Sequence, residues 1–120
     1  MKRLFLSLIL SAVGFLSMMA DSPASFPGGE EAMLQYFAEN TKYPEAAREF
    51  GIEGVVNVEC RILTDGKIGN IKITRMLDPD LEQEAIRLIK SMPAWTPAEK
   101  GGRPVEQTVT IPVKFTLPTE

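Results

Sequence analysis

The sequence predicts an α+β fold: a three-stranded antiparallel sheet with helices packed on one face, preceded by an extra N-terminal helix. Two patterns and their order predict it. Residues 54–63, 67–76 and 108–117 alternate apolar and polar side chains with period 2, as half-buried strands do. Residues 30–40 and 81–92 carry apolar stripes at helical spacing. The elements run helix, short helix, strand, strand, helix, strand, and a small sheet covered on one side by helices buries those stripes.

The first 20 of the 120 residues stand apart. Lys2 and Arg3 precede an apolar run from Leu4 to Ala20, interrupted only by Ser7, Ser11, Gly14 and Ser17. A basic start, an apolar stretch and small residues form a secretory signal pattern, with cleavage expected after Ala20 or Ala24. The run is also near the lower length limit for a membrane span, so an uncleaved anchor is the competing reading. Residues 21–29, DSPASFPGG, read as a short linker, and residues 30–117 as the domain.

Glu30 to Asn40 reads as a helix with Met33, Leu34, Phe37 and Ala38 on its apolar face. Tyr43 is held extended by Pro44, which opens a short helix, Glu45 to Phe50, capped by Gly51. In the first strand Val56, Val58, Cys60 and Ile62 face one way. Thr64-Asp65-Gly66-Lys67 carries a hairpin signal, and Gly69 marks a bulge, because Ile68 is out of phase with Ile71 and Ile73. Asp78 fits a helix N-cap and Pro79 the first helical position; Leu81, Ala85, Leu88, Ile89 and Met92 form the stripe. Ala94 to Arg103 reads as a loop. The last strand, Thr108 to Leu117, places Val109, Ile111, Val113, Phe115 and Leu117 on one face.

Composition narrows the function. Thirteen Lys and Arg face 16 Asp and Glu; without the first 20 residues the count is 11 against 16, a net charge of −5. Nucleic acid is excluded as a partner, since phosphate binding needs a basic face. The absence of His excludes imidazole-based nucleophile systems and His-containing zinc sites. The single Cys60 allows no internal disulfide and lies in phase with buried positions, so it reads as an inert core thiol. Asp78, Asp80, Glu82 and Glu84 lack the Gly and Glu of a calcium loop and suit a helix start. Lys100-Gly101-Gly102-Arg103 precedes no helix and reads as a flexible loop; Trp95 reads as a core or rim residue. No acid/base pair, metal site or cofactor site is expected, and the chain is not expected to be an enzyme.

What remains is a sheet edge. Pro112 within a strand argues for an edge position, where strand addition can seat a partner's extended segment. Thr108, Thr110, Pro112, Lys114 and Thr116 alternate with the apolar residues of this strand.

Tyr43-Pro44-Glu45-Ala46-Ala47, Gly51 to Val58, Thr64 to Ile68, Leu81 to Ala85 and Trp95-Thr96-Pro97-Ala98, followed by a final β run, together resemble the C-terminal domain of the TonB energy-transducer family. Phe26-Pro27-Gly28-Gly29-Glu30, Gly101 to Val105 and Ile111 to Phe115 resemble the short versions of Bacteroidetes-type bacteria, and the resemblance covers about residues 26–117. It implies a periplasmic, TonB C-terminal-like module that docks to outer-membrane receptors, whose TonB box adds to the last strand. It also implies contact by the stretch before Tyr43-Pro44, here Asn40, Thr41 and Lys42. Full transducers are anchored in the inner membrane and driven by the proton gradient through a motor complex. This chain departs from them in having no His and only nine residues of linker, which extend about 30 Å. The expected partner is therefore a receptor TonB box or another extended periplasmic peptide. Membrane contact is expected only through an uncleaved N-terminus, and a homodimer through a sheet edge is allowed. An anchored transducer subunit and a structural or regulatory periplasmic domain are the alternative readings.

Overall fold

The computed structural model describes residues 21–118; the expected signal or anchor segment, 1–20, lies outside them. The elements are α1 (Glu30–Asn40), α2 (Glu45–Glu49), β1 (Gly54–Ile62), β2 (Ile68–Arg75), α3 (Pro79–Lys90), β3 (Ala98–Lys100), β4 (Arg103–Val105) and β5 (Gln107–Phe115). The main sheet has the order β2-β1-β5 and is antiparallel throughout. The α+β class, the three-stranded sheet and the extra helix are as the sequence predicts.

β1 is central because both its neighbours need it. Val56, Val58, Cys60 and Ile62 are buried beneath the helices, beside Ile111, Val113 and Phe115 of β5. From above, α3 contributes Leu81, Ala85, Leu88 and Ile89, all without exposed surface. Each fully buried Leu or Ile contributes roughly 1.5–3 kcal/mol, so α3 is the principal lid of the core. Its start is fixed as the sequence predicts: the Asp78 carboxylate accepts from the N–H groups of Asp80 (3.0 Å) and Leu81 (3.1 Å), with Pro79 in the first turn. β2 carries an extra residue where Cys60 pairs with Ile71 but Ile62 pairs with Ile68, which is the bulge expected at Gly69. A second irregularity lies between the Asn57–Arg75 and Val58–Ile73 pairs.

Four details differ from the expectations. First, α1 turns Phe37 into the core, with Met33 and Tyr36 beside it, and leaves Leu34 and Ala38 exposed. The helix is rotated so that the Tyr36 hydroxyl donates to the Leu88 carbonyl (2.7 Å), a partner invisible to apolar spacing. Second, the segment 94–103 is not all loop. β3 and β4 pair from Ala98–Val105 to Lys100–Arg103, closed by Gly101 and Gly102, both at positive φ. Third, residues 21–29 are not a free linker. Ser22 pairs with Glu99, Ser25 with Thr96, and Phe26 is 7% exposed, edge-on to Trp95. This strap adds to the edge of β3 and pins α1. Fourth, the ladder of the last strand runs from Gln107 to Phe115 instead of Thr108 to Leu117, because the Leu117 N–H leaves the ladder for the Glu53 carboxylate.

Candidate functional site

β5 is an edge strand, and Pro112 fixes which of its groups are free. Pro112 stands opposite Asn57 in an unbroken ladder yet has no N–H to give. The ladder bonds must therefore run through its neighbours, Ile111 and Val113, opposite Val58 and Val56. Leu117 has the same parity, and its N–H does turn back, to the side chain of Glu53 just before β1. The N–H groups of Thr108, Thr110, Lys114 and Thr116 thus point away from the sheet, with a gap at Pro112. A row of free donors and acceptors is what strand addition uses. The side chains of Thr108, Thr110, Pro112, Lys114 and Thr116 are all exposed.

A groove of about 460 Å³ runs beside the second half of this edge. Pro112, Lys114 and Thr116 line it together with Leu34, Phe37, Ala38, Thr41, Tyr43 and Arg48. Of the predicted contact residues, the structure therefore brings Thr41 together with Pro112, Lys114 and Thr116. Thr108 and Thr110 lie further along the same edge. Asn40 and Lys42 are not in this groove; Lys42 lines a separate, open depression with Arg87 and Lys90.

The stretch 40–42 is held by Glu84, which the sequence assigned only to the helix dipole, and by Arg87, which the sequence did not single out. Glu84, 8% exposed, receives two bonds from the Arg87 guanidinium (2.7 Å each) and one from the Lys42 backbone N–H (2.6 Å). Arg87 also donates to the Asn40 carbonyl (2.8 Å). Burial alone would raise the Glu84 pKa, but the Arg87 and Lys42 bonds outweigh it and hold the carboxyl below its usual range. The signal was present: Glu84 falls between Leu81 and Leu88 on the buried stripe, a position a carboxylate occupies only when paired. Tyr43 closes the corner, its hydroxyl donating to the Ile52 carbonyl and its ring edge-on to Phe115.

The remaining candidates are structural. Cys60 is buried, and burial with the neighbouring Glu59 pushes its thiol up to about 11. Trp95 is buried, its indole N–H on the Met92 sulfur (3.4 Å). Among the described residues no group of His, Cys, Asp and Glu could hold a metal ion, and no helix is long and apolar enough to cross a membrane.

Residues 39–117 match the family model of the Gram-negative bacterial TonB protein C-terminal. The chain belongs to this TonB C-terminal family. Two solution structures of the Helicobacter pylori TonB C-terminal domain, of different lengths, share the fold. One is 26% identical with a TM-score of 0.54, the alignment covering 72% of this chain and 78% of that one. The other is 25% identical with a TM-score of 0.56, covering 75% and 95%. No curated protein matches the chain. A TonB C-terminal domain is a protein-interaction module of TonB-dependent transport at the cell envelope and not an enzyme. The strap and nearly all of α1 precede the matched residues, so Leu34, Phe37 and Ala38 of the groove lie outside the family segment.

Proposed function

We propose that this TonB C-terminal domain is an exported, periplasmic docking module that takes the TonB box of an outer-membrane receptor as an added strand on β5. The observation that carries the reading is the edge itself: four outward N–H groups, a proline where the fifth would be, and a groove beside them. The Glu84–Arg87 pair supports it by presetting the 40–42 stretch next to the groove, which lowers the ordering cost of binding. The β2 edge is a poorer receiver, because its two irregularities break the register an added strand would need.

A titration with peptides from the N-terminal segments of outer-membrane receptors, followed by amide NMR, tests this. Shifts centred on Thr110, Lys114 and Thr116 are expected. Binding that leaves them unmoved overturns the site, and the absence of binding by any receptor peptide overturns the partner. Fractionation of the native host tests the export reading: the protein is expected in the periplasm, without residues 1–20.

A further inference from the structure

Leu34 is 57% exposed on a helix whose other face is in the core, and Ala38 is exposed one turn further on. Both open onto the β5 groove, with Phe37 between them. A strand added to β5 lies about 4.8 Å from it and sends every second side chain toward the helix layer. At this edge the helix layer is α1. We propose that α1 selects the partner: Leu34, Phe37 and Ala38 form a side-chain pocket for a bulky aliphatic residue of the incoming strand.

The rim adds a second requirement. Arg48 and Lys114 lie at the groove, and among the described residues neither makes an ion pair and no acidic side chain lines it. An added strand with a carboxylate beside the aliphatic residue therefore meets the positive charge of Arg48 and Lys114 in a protein that is acidic overall. The occupant is an extended peptide segment with one aliphatic side chain toward α1 and one Asp or Glu near Arg48 and Lys114. The pocket wall comes from residues before the segment that the family model matches, so this selectivity rests on residues outside that segment. The inference rests on docking at β5.

The test is a set of double-mutant cycles on the whole protein. Receptor N-terminal peptides are made unaltered and with Ala at each aliphatic position in turn. Each is titrated into the wild type and Leu34→Ala, with circular dichroism as the check on folding; Leu34 is exposed, so the variant is expected to fold. One aliphatic position should cost about tenfold in the wild type, as loss of a buried aliphatic side chain does, and less than about threefold in Leu34→Ala. A parallel cycle pairs Arg48→Gln with Asp→Asn or Glu→Gln in the peptide and should show coupling that fades with salt. Equal losses in the wild type and Leu34→Ala overturn the α1 pocket while leaving docking at β5 intact. If no peptide binds the wild type, the docking reading falls and this one with it.

Discussion

Gly66 and Trp95 approach so closely that a Cβ on Gly66 would lie 2.0 Å from the Trp95 carbonyl oxygen. The contact is also a bond: the Trp95 N–H donates to the Gly66 carbonyl at 2.8 Å. Gly66 sits at φ +86, in the left-handed region that favours glycine. Gly66 thus ties the turn between β1 and β2 to the segment after α3.

Gly66→Ala is therefore expected to cost about 3 kcal/mol or more, from backbone strain and displacement of Trp95. Gly69→Ala is the control. Its nearest neighbour would be a Leu63 methyl at 3.2 Å, which can give, and a cost below about 1 kcal/mol is expected. Urea unfolding of the two variants checks the order; equal midpoints would remove the close-approach account.

Glu84 contributes to the acid limb of stability. Its folded pKa is depressed below the ordinary 4.5, so its contribution is present above that value and is lost as pH falls through the folded value. Glu84→Gln should flatten that part of the stability curve below about pH 4.5. At pH 7 it should cost about 1–2 kcal/mol, a modest figure because Arg87 is partly exposed. Denaturant midpoints measured from pH 3 to 7 check both statements.

Cys60→Ala should cost on the order of 1 kcal/mol by leaving a small void, with partner binding unchanged. With the thiol pushed up to about 11, labelling at pH 8 should be slow and should accelerate with urea in step with unfolding. Rapid labelling of the native protein would contradict the buried assignment.

On β5 the two substitutions have opposite signs. Thr110→Pro removes an outward N–H, keeps every internal ladder bond, and should weaken peptide binding about fivefold, one hydrogen bond's worth, with the fold retained. Pro112→Val restores the missing donor, and should tighten peptide binding by a similar factor and raise self-association. Calorimetric titration and sedimentation measure the two effects.

The sheet and α3 were legible because their signals are local: Val56 to Ile62 alternate, Asp78-Pro79 caps, Pro112 marks an edge. The strap was not. Its Pro, Ser and Gly residues read as a linker, and only the burial of Phe26 against Trp95, some 70 residues away, makes it structure. β3 and β4 are three residues each, too short for a period. The rotation of α1 goes with contacts distant in sequence, among them the hydrogen bond from Tyr36 to Leu88 and the ring contact of Tyr36 with Phe26. The outward parity of the β5 edge residues and the place of Glu84 on the buried stripe were readable from spacing alone, whereas the exposure of Leu34 and Ala38 beside the groove follows from packing that sequence spacing does not disclose.

The strap has a mechanical consequence. Ser22 and Ser25 exchange paired bonds with Glu99 and Thr96 at 2.8–3.0 Å, so a pull on the chain from its N-terminal side loads these bonds before it reaches α1 or the sheet. Tension strong enough to part them would peel Phe26 from Trp95 before it reached the first turn of α1.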